Sequence, residues 1–124
     1  MTEVKKFDLE ERLVKFAVLI ISLAESLEVS IAGKYIAGQI IRSGISPALN
    51  YGEAKSAESV QDFIHKMKVA LKELRETYIS LLIIQAKPLV KKDDLLLQCV
   101  KEGNELISIF VKSIQTALKN KAKS

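Results

Sequence analysis

A stripe of polar residues near the middle of the chain is the first candidate for chemistry. It consists of Arg42, Ser46, Asn50 and Glu53, which lie in the stretch RSGISPALNYGEA. A helix turns by about 100° per residue, so this spacing places all four on one side, within ~80°. Polar groups among apolar neighbours need partners, and the carboxylates of Glu73 and Glu76 are acceptors suited to a guanidinium. The stripe is therefore either a ligand or partner site or a polar network that fixes register between helices or subunits.

No nucleophile or metal set accompanies the stripe, which favours the structural interpretation. The chain has one histidine, His65, which stands three positions after Asp62 in DFIH. Di-iron bundles need two Glu-x-x-His motifs and two further carboxylates, so this single pair is predicted to be solvated. Cys99, in LLLQCV, has no histidine or acid close to it and is predicted to be a buried small hydrophobe.

Two glycines have the spacing of a phosphate-binding loop without its other residues. Gly33 and Gly38 lie in GKYIAGQI, and Gln39 and Ile40 stand where such a loop has Lys and Ser or Thr. Both glycines are interpreted as helix-packing positions. The sequence thus predicts a protein that is not an enzyme and that uses no metal and no cofactor.

Lysine and arginine residues are candidates for contacts with nucleic acid. They are Lys66, Lys68, Lys72 and Arg75 in the third periodic segment and Lys112 and Lys119 in the fourth. Rows of cations can neutralise phosphates, and a net charge of +4 permits such binding without requiring it. Interleaved acids such as Asp62 favour ordinary solubilising charges in a single chain, although an oligomer would multiply a weak basic patch.

Four segments with helical periodicity must position these residues. They cover about 8–27, 30–55, 57–86 and 93–120, and Asp8, Ser56 and Asp93 are predicted N-caps. With 5 Gly, 2 Pro and no competing strand pattern, the 124 residues fit one all-α domain spanning 1–124. Short connections make sequence neighbours antiparallel, so the prediction is an up-down-up-down four-helix bundle.

Pro47 interrupts the second segment and allows two interpretations. Inside a helix it removes one main-chain hydrogen bond and bends the axis. Alternatively, Ser46 is an N-cap and Pro47 the first residue of a new helix. Because the polar stripe continues from Ser46 to Glu53, a single helix kinked near Pro47 is favoured.

The helices carry more apolar surface than a monomer can bury. The stretch FAVLIISLA in the first helix is apolar nearly all round, and Val69, Ile79 and Ile83 fall on the polar side of the third. Large exposed apolar patches mark interfaces, which predicts a homo-oligomer. One cysteine and the lack of a signal peptide or a membrane-length apolar run predict a cytoplasmic protein that does not contact membranes.

Two blocks of the sequence resemble the signature of the bacterial four helix bundle proteins, also called intervening-sequence proteins. Some of these proteins are encoded in sequences inserted within large-subunit ribosomal RNA genes. The first block, QIIRSGISPALNYGEA, matches at Gln39, Arg42, Ser43, Ser46, Pro47, Asn50 and Glu53. The second, DFIHKMKVALKELRET, matches at Phe63, Met67, Ala70, Glu73 and Glu76. The resemblance covers about Phe7 to Leu118, and it departs at Ala54, where many members have Gly.

The resemblance implies an antiparallel bundle that assembles as a ring, commonly a homopentamer, with no enzymatic activity established for the family. A related protein, the accessory protein of diversity-generating retroelements, is a basic pentameric bundle that binds a reverse transcriptase and nucleic acid. We therefore expect a non-enzymatic oligomeric scaffold whose first partner is a second copy of itself. The alternative is an adaptor for RNA, with RNA, DNA or a nucleic-acid enzyme as its partner.

Overall fold

Four helices account for most of the residues that the structure, a computed structural model, describes, namely 8–91 and 94–123. These helices are α1 (Leu9–Ser26), α2 (Ile31–Lys55), α3 (Val60–Ala86) and α4 (Asp94–Lys123). No strand occurs in the described ranges, and the predicted all-α four-helix bundle is confirmed. The predicted N-cap Asp93 and the first residue of the family resemblance, Phe7, lie outside the described residues.

Side-chain caps define where α1 and α2 begin. The Asp8 carboxylate accepts a hydrogen bond from the Glu11 N–H at 3.0 Å, which satisfies one of the free donors of the first turn of α1. The Ser30 hydroxyl accepts one from the Gly33 N–H at 3.0 Å in the same way. Each cap uses a short polar side chain directly before an apolar periodic run.

The predicted N-cap of α3 at Ser56 is wrong, because Ser56 is the C-cap of α2. The Ser56 N–H donates to the Glu53 carbonyl at 3.1 Å and so closes the last turn of α2. Ser59 is the cap instead, and its hydroxyl accepts from the Asp62 N–H at 3.0 Å. The third helix accordingly begins at Val60, three residues later than the sequence pattern predicts.

The second helix passes through Pro47 without a break. It is continuous from Ile31 to Lys55, with Pro47 buried in its interior, so the alternative of a new helix capped by Ser46 is wrong. The main-chain hydrogen bonds on either side hold the helix across the single bond that proline deletes. The bend near Pro47 stays a prediction.

Each helix packs against two neighbours around one apolar core. The first helix contacts α2 and α4, the third contacts the same two, and the α1–α4 contact is the smallest of the four. Lys55, at the end of α2, pairs with Glu10 at the start of α1, and the antiparallel arrangement of the helices stays a prediction. At the other end, the Glu28 N–H donates to the Leu89 carbonyl at 2.9 Å and joins the α1–α2 and α3–α4 connections. The largest fully buried side chains are Phe16, Phe110, Leu13, Ile20, Leu23, Ile40, Met67, Leu74, Leu81, Ile84, Leu96 and Leu106.

Three glycines in α2 have different surroundings. A Cβ at Gly44 would lie 2.7 Å from Ile20 Cγ2, so the missing side chain permits the close approach of α1 and α2. A Cβ at Gly33 would lie 1.9 Å from the Glu28 carbonyl oxygen, within the connection that precedes α2. Gly38 has no atom within 4 Å of that position, so its prediction as a packing residue is wrong.

Candidate interaction groove between α2 and α3

The polar stripe of α2 makes separate contacts rather than one network. Arg42 reaches α3 with both terminal nitrogens: Nη1 lies 2.9 Å from Glu73 Oε1 and Nη2 lies 2.7 Å from Glu76 Oε1. The Arg42 side chain is 53% exposed and the Glu73 side chain 13%, so the pair is at the surface with one partner mostly covered. Hydrogen bonds to Glu76 and then to Glu73 raise the pKa of Arg42 above its usual value, and its positive charge is retained.

The remaining residues of the stripe pair further along the helix. The Asn50 side-chain amide donates to the Ser46 carbonyl at 3.0 Å and to the Ser46 hydroxyl at 2.9 Å, so these two residues satisfy each other within α2. Glu53 accepts from Lys66 Nζ of α3 at 2.7 Å, and this hydrogen bond raises the pKa of Lys66. The stripe thus joins α2 to α3 at two points, through Arg42 and Glu53.

A buried hydroxyl pair beneath the stripe is the polar contact that the sequence analysis missed. The Thr77 hydroxyl lies 2.7 Å from the Ser43 hydroxyl and 2.9 Å from the Glu73 carbonyl, and both side chains are almost fully buried. Two small hydroxyl residues facing each other let the helices approach closely. The only sequence signal at this point was the Ser43–Gly44 pair of small residues next to Arg42.

A groove between α2 and α3, called the α2/α3 groove below, adjoins these contacts. It is open to solvent, has a volume of about 790 Å³, and combines apolar and cationic side chains. Its residues are Tyr35, Gln39, Ser43, Lys68, Leu71, Lys72, Arg75, Glu76, Ile79 and Ser80. Lys68, Lys72 and Arg75 form no ion pair with any described residue. The groove therefore presents uncompensated positive charge beside an apolar surface.

Only half of the predicted basic residues lie in this groove. Lys66 is held by Glu53, outside the groove. Lys112 belongs to a second depression, of about 620 Å³, beside Tyr51 and Phe63. Lys119 is exposed on α4. The structure thus brings together three of the six cations that the sequence analysis proposed for nucleic acid.

The groups considered for metal or nucleophilic chemistry are dispersed. His65 is exposed and Asp62 half-buried on α3. Within residues 8–91 and 94–123, no three His, Cys, Asp or Glu side chains cluster so that they could hold a metal ion. Cys99 is fully buried, as predicted, and burial raises the pKa of its thiol to about 11. A thiol with that pKa is a poor nucleophile at neutral pH.

Comparison with known proteins agrees with the two sequence blocks around this groove. Residues 5–111 match the sequence profile of the 23S rRNA-intervening sequence protein family. The chain belongs to this family. A solved structure with a similar fold is that of a protein with unknown function from the S23 ribosomal protein family of Bacteroides thetaiotaomicron VPI-5482. The two chains are 26% identical, the TM-score is 0.74, and the match covers 86% of this chain and 98% of that one.

No curated protein sequence matches this intervening-sequence protein. None of its described helices is long and apolar enough to cross a membrane. The match to the family begins before α1 and ends within α4, so it includes both helices that form the α2/α3 groove.

Proposed function

We propose that this intervening-sequence protein is a non-enzymatic scaffold that self-associates through the outer surfaces of its bundle. The observation that carries the proposal is the exposure of large apolar side chains on two separate surfaces. On α1, Val14 is 50% and Val18 is 56% exposed, and they stand one helical turn apart. In the α2/α3 groove, Tyr35 is 67% and Ile79 is 55% exposed.

Grouped apolar exposure of this kind is typical of a protein interface. Single exposed hydrophobic residues are ordinary, whereas these lie next to one another on helices whose opposite faces already fill the core. The resemblance to ring-forming bundle proteins adds the proposal of a homopentamer. The free, buried Cys99 fits a reducing compartment, and we propose a cytoplasmic location on that basis.

The mass of the assembly in solution tests this proposal. Light scattering after size-exclusion chromatography at micromolar concentration is expected to give a multiple of the 13.8 kDa chain mass, five times that value for a pentamer. A single species at the mass of one chain would refute self-association.

A second candidate function is an adaptor for RNA or DNA that also recruits a nucleic-acid enzyme, as the retroelement accessory proteins do. The three unpaired cations of the α2/α3 groove favour it, because phosphate contacts need cations that are not already neutralised. Tyr35 is its only aromatic residue, so stacking on successive bases finds little support there.

Binding to ribosomal RNA fragments, measured by fluorescence anisotropy at several salt concentrations, tests this second function. Three phosphate contacts per chain predict that the logarithm of the affinity falls with the logarithm of salt with a slope of roughly −2 to −3. Lys68→Ala is expected to reduce that slope, and Lys101→Ala serves as a control, because Lys101 is exposed on α4 outside the groove and is not among the six candidate contacts. Undetectable binding at low salt would eliminate the adaptor function.

A further inference from the structure

The outward face of α1 combines apolar residues with acids. Val14 and Val18 are about half exposed, and Glu11 and Glu25 are exposed on the same side of the helix. Glu25 makes no ion pair with a described residue, and Glu11 makes only a within-helix pair with Lys15, at 3.4 Å. Neither valine is needed by the core of its own chain, so this face is available to a partner.

The α2/α3 groove has the complementary composition. Its cations Lys72 and Arg75 form no ion pair with any residue of 8–91 or 94–123, and Ile79 stands next to them on the same helix. An apolar face bordered by carboxylates would therefore cover the apolar surface of the groove and neutralise its charge at the same time. The outward face of α1 has these properties.

The spacing of the two surfaces also agrees. Lys72 and Ile79 are seven residues apart on α3, which is two helical turns or roughly 10 Å. On α1, Val18 has an acid seven residues away on each side, Glu11 before it and Glu25 after it. When Val18 packs against Ile79, a carboxylate can thus approach Lys72 whether the two helices run in the same or in opposite directions.

We infer that the α2/α3 groove of one copy binds the outward face of α1 from a second copy. This inference rests on the proposed self-association and names its interface. The two surfaces differ, so each copy offers a free groove and a free α1 face, and repeated contacts build a ring or a filament. Nucleic acid that binds in the groove would compete with this contact. The test below distinguishes the two occupants of the groove.

Charge reversal with recombination tests the interface. The groove variant carries Lys72→Glu and Arg75→Glu, and the face variant carries Glu11→Lys and Glu25→Lys. Each places like charges across the contact, and we expect self-association at least about 100-fold weaker than in the unmodified chain. The combined variant, with all four substitutions, restores opposite charges and is expected to regain the unmodified mass.

Two controls make these measurements specific. Glu58→Lys and Lys119→Glu reverse exposed charges outside both surfaces and are expected to leave the mass unchanged. Circular dichroism melting shows that each variant is folded, and recovery in the combined variant separates a charge effect from damage to the fold.

The outcomes separate this inference from the proposal on which it rests. If the unmodified protein is monomeric, self-association itself is refuted. If it is oligomeric and the folded groove variant keeps the same mass, the assigned interface is wrong while the scaffold proposal stands. If that variant keeps its mass but loses RNA binding, the groove belongs to nucleic acid. Failure of a folded combined variant to reassemble would also overturn the charge pairing.

Discussion

Replacement of Gly44 by alanine tests the close contact between α1 and α2. The added Cβ would stand 2.7 Å from Ile20 Cγ2, 3.0 Å from Ile20 Cβ and 3.1 Å from Ile20 Cγ1. Ile20 is fully buried, and these atoms are at the branched base of its side chain, so they cannot turn aside. Relief of the clash requires a shift of the helices, because the core around them is closely packed.

The expected magnitude follows from two opposing effects. Overpacking of a core costs about 1–3 kcal/mol, whereas exchanging glycine for alanine inside a helix stabilises by about 1 kcal/mol. Gly38→Ala is the matched control, since it lies in the same helix and its Cβ would meet no atom within 4 Å. The helix preference cancels between the two variants, and their difference in the free energy of unfolding is the steric effect alone, about 1–3 kcal/mol.

Urea unfolding followed by circular dichroism measures that difference in the free energy of unfolding. Thermal unfolding gives a second measurement. For a domain of this size, 1 kcal/mol corresponds to roughly 4 °C in melting temperature, so Gly44→Ala should melt roughly 4–12 °C below Gly38→Ala. Both must be compared at equal protein concentration, because association adds to apparent stability. Truncation of Ile20 to alanine should remove most of the penalty in a double-mutant cycle. Equal stability of the two glycine variants would show that α1 and α2 do not approach closely at Gly44.

Three further predictions concern polar and thiol groups. Thr77→Val leaves the buried Ser43 hydroxyl without its partner and should lower the free energy of unfolding by about 1–3 kcal/mol. Adding Ser43→Ala should restore much of that loss. Denaturant titration measures both changes, and an unchanged free energy of unfolding in Thr77→Val would show that the contact is weak. Arg42→Ala should lower the melting temperature by a small amount that shrinks in high salt, because the ion pairs are exposed, and an unchanged melt and mass would refute a structural role. Alkylation of Cys99 at pH 8 should be at least about 100-fold slower in the folded than in the urea-unfolded protein, and equal rates would contradict its burial. The Cys99 thiol has its ordinary pKa of 9.0 in the unfolded chain and a pKa of about 11 in the folded one, so between these values only the unfolded chain loses the proton. The free energy of unfolding should therefore fall as the pH rises from 9 toward about 11.

The helices were predictable because periodicity and capping act over a few residues. The error at Ser56 had a local remedy: Ser59 is followed three positions later by Asp62, a capping pattern that Ser56 lacks. Gly38 was misassigned because a glycine's spacing does not reveal which side of the helix meets a neighbour. Its exposure is decided by the rotation of α2 within the bundle.

The candidate site was less predictable, because it depends on how α2 and α3 face each other. Periodicity placed Arg42 on a polar stripe, and Glu73 and Glu76 were suitable acceptors on charge alone. The Ser43–Thr77 pair needs the rotational setting of both helices, and neither residue is unusual within its own helix. The groove likewise consists of residues from two helices, whereas the sequence shows only the row of cations on α3.

The small contact between α1 and α4 has a consequence for the order of folding. The Arg12 guanidinium closes it by binding Glu102 at 2.6 Å and Glu105 at 3.0 Å, residues about ninety positions away. Helices that are neighbours in the sequence are joined by short loops, so little chain entropy is lost when they pair. The contact between α1 and α4 instead requires distant parts of the chain to meet, and that loss of chain entropy comes before any stabilising contact forms. We expect the contact between α2 and α3 to form early and α1 and α4 to meet last. Substitutions at Arg12 should then accelerate unfolding and leave the folding rate almost unchanged.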